Sequence, residues 1–314
     1  MRSGRTSSLK RWAAGLGAAC LTVTLGLVAA AQATPAAAAS RASSTRSPSR
    51  VTYIGAYSPS VGTWKKAYAA IGPLQTDKEF NTKTGTALPP SFRQSECASL
   101  PHNPVCIVNY KVPNTNLKSY VQSVPPGRNL VILVYHDEPE LGQSGLSATQ
   151  FKDQFENQAR KIMSYAKEKG LKNVKVAMDS ATSGYKPGAK GYNCSFIPPA
   201  KYVDYYLADV YEHTLTGLAS LAIFQRWNHC TAGKGVPRGL AEYGLDRCDG
   251  ATEAQRATTL GDDAAYLARK FPKLVLWNYW YADSHPGACH DPMFPARSAT
   301  GTEWRKIEAG TVAS

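Results

Sequence analysis

Beyond Ala31 this chain has no stretch long and apolar enough to cross a bilayer. It has no Gly-x-Ser-x-Gly, so a nucleophile elbow for a Ser/His/Asp triad is excluded. It has no Gly-rich phosphate loop and no internal repeat. No Cys-x-x-Cys occurs, and His213, His229, His285 and His290 are scattered without metal-ligand spacing, so no metal site is expected. Acidic residues are scarce, 23 against 36 Lys and Arg, for a formal charge of +13. Yet no Lys/Arg run interleaves with aromatics, so a nucleic-acid partner is not indicated.

Much of that charge sits at the N-terminus. Arg2, Arg5, Lys10 and Arg11 precede or open an apolar run from Trp12 to Ala31, which is followed by Ala31-Gln32-Ala33 and Ala37-Ala38-Ala39. A basic start, an apolar core and an Ala-x-Ala site predict a secretory signal peptide over residues 1–33, cleaved after Ala33 or Ala39. A membrane anchor fits a Gly/Ala/Thr-rich run less well, and no Arg-Arg pair supports a twin-arginine route. Residues 34–50 hold Ala, Ser, Pro and Arg with no large apolar side chain, which predicts a disordered linker. Without the leader the charge falls from +13 to +9, and without Arg41, Arg46 and Arg50 to +6. A mildly basic, secreted, extracellular domain over residues 51–314 is expected, monomeric and able to linger on anionic cell wall.

Cysteine usage agrees with export. One of the seven, Cys20, lies in the leader, which leaves an even set for disulfides. The expected pairs are Cys97–Cys106 across a short loop, Cys248–Cys289 between the last two strand-end loops, and Cys194–Cys230 from the remainder.

Residues 51–314 read as strand-like runs alternating with helical or loop-rich spacers. Strands are predicted at Val51–Tyr57, Gln75–Phe80, Cys106–Lys111, Leu130–Tyr135, Val174–Asp179, Val203–Tyr211, Arg238–Gly244 and Lys273–Tyr281. The second is the most polar. Helices are predicted at Trp64–Ile71, near Leu117–Val121, at Phe151–Lys169 with Ser147 as cap, at Leu215–Trp227 and at Ala251–Lys270. A long Gly/Pro/Tyr-rich loop over Ser183–Pro199 holds Cys194. Eight such strands in one domain predict an α/β fold, a single (β/α)₈ TIM barrel with disulfide-stapled strand-end loops. The alternative is a doubly wound open sheet.

The fourth strand is apolar from Leu130 to Tyr135 and then turns polar: His136, Asp137, Glu138, Pro139, Glu140. The seventh ends in Ala241-Glu242-Tyr243-Gly244. In a barrel both strand ends open on one face. Two carboxylates there can divide glycosidic bond cleavage, one protonated as acid and the other ionised as nucleophile. Asp137-Glu138-Pro139 resembles the Asn-Glu-Pro motif of the retaining glycoside hydrolase clan of (β/α)₈ barrels, which contains mannanases, cellulases and xylanases. Ala241-Glu242-Tyr243-Gly244 resembles the clan's nucleophile segment. The resemblance implies a secreted glycoside hydrolase that cleaves β-linked poly- or oligosaccharide with retention. Glu138 would be the acid/base, Glu242 the nucleophile, Tyr211 its hydrogen-bond donor, and Trp277 or Trp280 the floor of the sugar subsite. Asp137 departs from the clan's Asn, which contacts the sugar 2-hydroxyl. That departure keeps two alternatives open: a non-catalytic carbohydrate- or wall-binding barrel, and a wall-lytic muramidase-type barrel.

Tyr57, His136 and Asp137 complete the candidate sugar contacts at the strand ends. Asp179 and Asp209 either bind sugar hydroxyls or cap the segments that follow. Glu140, next to Pro139, is expected to be a solvated loop residue. A period of two cannot put Trp277 and Trp280 on the same side of their strand. Trp277 is the first choice for the mouth only if the strand ends there. No cofactor is expected.

Overall fold

The computed structural model describes residues 53–57, 60–80, 87–111, 115–129, 131–135, 138–142, 144–246, 250–280 and 297–312. Eight strands form one parallel sheet: β1 (Tyr53–Tyr57), β2 (Thr76–Phe80), β3 (Val105–Tyr110), β4 (Val131–Tyr135), β5 (Val174–Ala181), β6 (Tyr205–Glu212), β7 (Arg238–Leu245) and β8 (Leu274–Trp280). Their order is β1-β8-β7-β6-β5-β4-β3-β2, so every pair of neighbours apart from β1 and β8 is consecutive in the chain. β1 closes the ring against β2: Gln75 N donates to Ile54 O at 2.7 Å. Gly55 makes this seam possible, since a Cβ there would lie 2.1 Å from Thr76 Oγ1. An open doubly wound sheet is thereby excluded, and the fold is the (β/α)₈ barrel.

Between the strands lie α1 (Val61–Ile71), α2 (Leu117–Gln122), α3 (Ala148–Glu168), α4 (Ala222–Thr231) and α5 (Glu253–Lys270), and α6 (Ala299–Val312) follows β8. α3 starts where the sequence predicts, at a capping box in which Ser147 accepts from Gln150 N and Gln150 reaches back to Ser147 N. Thr252 and Gln255 repeat that device on α5. α4 begins seven residues later than expected, because Gly217 N and Leu218 N are bound by the buried carboxylates of Glu212 and Asp263, which fix a turn there. α6 was not expected. Its Trp304 packs edge-on against Trp277 and Tyr279.

Strand alternation divides the interior into two cores. One lies between sheet and helices. The other fills the barrel with Val105, Ile107, Ile132, Val134, Ala177, Leu207, Ala241 and Leu276. Cys97–Cys106 and Cys194–Cys230 form as expected. The third pair, Cys248–Cys289, lies outside the described residues, as do the leader, the linker, His136, Asp137, Tyr281, His285 and His290.

Candidate functional site

The site is built from inward positions at the carboxyl ends of the strands. On β2, Thr76, Lys78 and Phe80 share the lumen-facing parity. Lys78 is completely buried, and its Nζ lies 2.7 Å from Asp179 Oδ2, 3.0 Å from Asp209 Oδ1 and 2.7 Å from Glu242 Oε1. A buried ammonium needs such partners. Burial alone would lower its pKa, but the three carboxylates outweigh it and hold Lys78 well above its ordinary value. Lys78 is thus a fixed cation rather than an amine nucleophile. Among the described residues no cluster of His, Cys, Asp or Glu is placed to hold a metal ion. The acids at the strand ends surround the lysine.

Glu242 reaches the lumen through a β-bulge. Leu240 and Tyr243 both face the helices. Across β6, Ala208 pairs with Leu240 and Asp209 with Glu242; across β8, Trp277 pairs with Leu240 and Tyr279 with Tyr243. One extra residue is therefore fitted into β7, and Ala241 and Glu242 point inward in succession. The bulge carbonyl, Ala241 O, accepts from Asn278 Nδ2 at 3.1 Å, and Asn278 Oδ1 accepts from Thr76 Oγ1 at 2.6 Å. Both oxygens of Glu242 are held: Oε1 by Lys78 and Oε2 by the Tyr211 hydroxyl at 2.6 Å. Burial raises the Glu242 pKa, opposed by Lys78 and Tyr211. Asp209 is pushed well above the carboxylate range, first by burial and then by Asp179 and Glu242. One cation faces three acids, so burial and the neighbouring charges work against ionisation of Asp209 while Lys78 favours it.

Glu138 follows β4 and is half-buried. Its backbone is left-handed, φ 39° and ψ 51°, immediately before Pro139. That conformation is costly for a residue with a Cβ. Burial raises its pKa, helped by the charges of Glu242 and Asp179. Aromatic rings line the mouth above Lys78. Tyr57 stacks on Trp280 with centroids 3.9 Å apart. Phe80 meets Tyr57 edge-on at 5.7 Å, and Tyr211 meets Trp280 edge-on at 6.0 Å.

Three expectations need correction. Trp277 is not at the mouth. β8 continues to Trp280, so Trp277 faces outward, fully buried against Tyr243 and Trp304. Asp179 has a side chain closed off from solvent and is committed to Lys78, so it neither touches the cleft nor merely caps a turn. Glu140 is not solvated. It is fully buried, its Oε1 accepts from Ala181 N at 2.8 Å, and burial pushes its pKa up to about 8. The sequence reading missed Lys78, Phe80 and Asn278. A lysine at lumen parity on a strand, with Asp179 and Asp209 at later strand ends, was the available signal for the first.

No family model and no curated protein matches this chain. Solved structures do. A GH128 (subgroup I) endo-β-1,3-glucanase from Amycolatopsis mediterranei, in complex with laminaritriose, matches with TM-score 0.50 and 16% identity over 82% of this chain and 99% of that one. The same enzyme with one glutamate replaced by alanine, in complex with laminaritriose and laminaribiose, matches with TM-score 0.51 and 15% identity over 82% and 99%. A mannanase from Bacillus subtilis matches with TM-score 0.50 and 13% identity over 76% and 82%. The chain shares the (β/α)₈ fold of these glycoside hydrolases.

Proposed function

We propose that this barrel is a secreted glycoside hydrolase that cleaves a β-linked poly- or oligosaccharide with retention of configuration. The carrying observation is the pairing of environments at two strand ends. Glu242 is gripped by Lys78 and Tyr211 in a way that favours an oriented carboxylate. Glu138, half-buried and raised in pKa, favours a protonated acid. Burial raises both carboxyls, but only Glu242 has a cation and a hydroxyl on its oxygens to oppose the rise, and two acids in unlike environments are what this chemistry needs.

In the proposed cycle, Glu138 gives its proton to the glycosidic oxygen as Glu242 attacks the anomeric carbon. The leaving sugar departs with that proton, and a glycosyl ester remains on Glu242. Glu138, now a carboxylate, takes a proton from water; the water oxygen attacks the anomeric carbon and Glu242 is released. Lys78 keeps Glu242 charged between turnovers, and Tyr211 fixes the attacking carboxylate. The stacked rings of Tyr57 and Trp280 offer an apolar face of the kind a pyranose packs against.

The β-1,3-glucanase and mannanase neighbours make laminarin and β-mannan the first substrates to try. The test is reducing-end release from laminarin, β-mannan and peptidoglycan by the parent, Glu138→Ala and Glu242→Ala. Parent activity on a β-glycan that both variants lose supports the proposal. Binding without release by the parent would replace it with a carbohydrate-binding barrel, to which Asp137 in place of Asn points. Release from peptidoglycan alone would replace it with a muramidase. Accumulation of the domain in culture medium tests secretion.

A further inference from the structure

Glu140 is a buried carboxyl that the proposed chemistry does not use. It sits two residues after Glu138, in the 3₁₀ turn Pro139–Leu141. Its side chain crosses to the last residue of β5 and the loop that follows it. There Oε1 takes the Ala181 amide at 2.8 Å, while Oε2 is buried with no hydrogen-bond partner among the described residues. The chain has cleared space for it. A Cβ at Gly184 would lie 2.3 Å from Glu140 Cγ, and one at Gly191 would lie 2.7 Å from Glu140 Cβ. Neither glycine has positive φ, so close approach rather than backbone freedom explains them. The gripping loop is anchored in turn: Cys194, three residues after Gly191, is bonded to Cys230 on α4.

A carboxyl is an expensive way to fill such a space, because an apolar side chain would avoid the desolvation. What it supplies is a fixed hydrogen bond between the last residue of β5 and the turn after β4, which carries Glu138 in a left-handed conformation. We propose that Glu140 is a positioning residue, a strut that ties the Glu138 turn to the end of β5, with Cys194–Cys230 holding in place the loop that encloses it. This rests on the acid/base role proposed for Glu138. The groups facing Glu140 are Glu138 on its own turn, Asp179 on β5 and Tyr185 on the β5 loop. Lys190, whose side chain lies against Gly142 of the same turn, makes no ion pair with Glu140 among the described residues, so the strut is a hydrogen bond.

The test uses Glu140→Ala, Glu140→Gln and the double variant Cys194→Ser/Cys230→Ser in the full domain. Glutamine keeps the acceptor for Ala181 N. Two readouts are taken: hydrogen exchange at the Ala181 amide, and kcat and KM on the substrate the parent cleaves. The alanine variant should exchange faster at Ala181 and lose about 10–100-fold in kcat, with KM nearly unchanged, as for a displaced catalytic group. The glutamine variant should restore both. The disulfide variant should lower kcat in the same sense but less, and it keeps the proposal open to refutation if the alanine variant does not fold. Unchanged Ala181 exchange in the alanine variant would overturn the strut. Faster exchange with unchanged kcat would overturn the positioning role. A folded glutamine variant as inactive as the alanine one would make Glu140 a titrating participant instead. Failure of the parent to hydrolyse any glycan would count against the proposed function, and Ala181 exchange would still decide the strut.

Discussion

Replacing Lys78 by methionine keeps the shape of the side chain and removes its charge. At an effective dielectric of about 20, a unit pair at the 2.7 Å of Lys78 and Glu242 attracts by about 6 kcal/mol. Repulsion among Asp179, Asp209 and Glu242 and the cost of burying all four groups cancel much of this. Removing one partner of a buried pair typically costs about 3–5 kcal/mol, and three stranded acids argue for the upper end. For a domain of this size that is a fall in Tm of about 6–20 °C near neutral pH. The pH dependence is the sharper part. Burial already raises the folded-state pKa values of Asp209 and Glu242 above their unfolded values, and losing the cation raises them further. Their protonated forms favour folding, so stability is retained at low pH and lost as pH rises. The deficit of Lys78→Met should therefore be large at pH 7.5 and less than half as large at pH 4.5, measured by thermal unfolding beside the parent. Adding Asp209→Asn should recover part of the loss, because one stranded acid becomes neutral. Equal deficits at both pH values, or no deficit at all, would refute Lys78 as the cation that neutralises the barrel floor.

Further outcomes follow from the same geometry. Tyr211→Phe removes the 2.6 Å hydrogen bond to Glu242; a bond to a charged group is worth about 1.5–3 kcal/mol, so kcat/KM should fall about 10–100-fold and its acidic limb should move to higher pH, and an unmoved limb would contradict the contact. Trp280→Ala removes the ring stacked on Tyr57 and should raise KM, whereas Trp277→Ala, in the outer core, should leave KM nearly unchanged and cost about 3–5 kcal/mol of stability; the reverse pattern in KM would exchange their assignments. Glu138→Gly and Glu138→Ala should both be inactive, but the glycine variant should be the more stable by about 1 kcal/mol, because only it relieves the left-handed backbone; equal Tm values would mean that the turn stores no strain.

The barrel was legible because its strands are buried on both faces and read as apolar runs, as in Val131–Tyr135 and Leu274–Trp280. β2, Thr-Asp-Lys-Glu-Phe, was the least legible strand, since Thr76, Lys78 and Glu79 are paired by groups remote in sequence. Lys78 finds Asp179 and Asp209, and Glu79 accepts the Cys97 amide at 2.7 Å. No local pattern announces partners 101 and 131 residues away. Glu140 was misread for a related reason: the turn that holds it looks polar, but Gly184 and Gly191, which enclose it, arrive from a different loop.

Glu242 is the instructive case, because two sequence signals pointed in opposite directions. Alternation from outward-facing Leu240 places Ala241 inward and Glu242 outward, among the helices. The Ala-Glu-Tyr-Gly motif requires the opposite. Both hold once Ala241 is the extra residue of a bulge, which lets Glu242 turn inward and returns Tyr243 to the outer core, where its hydroxyl donates to Asp263 at 2.6 Å. A bulge leaves ladder groups unpaired, and here Asn278 from β8 takes the Ala241 carbonyl. The nucleophile candidate is therefore aimed by backbone geometry and by an asparagine that bonds the bulge carbonyl and Thr76. Neither leaves a mark on the periodicity of β7, and a motif read with its neighbours was the only sequence route to it.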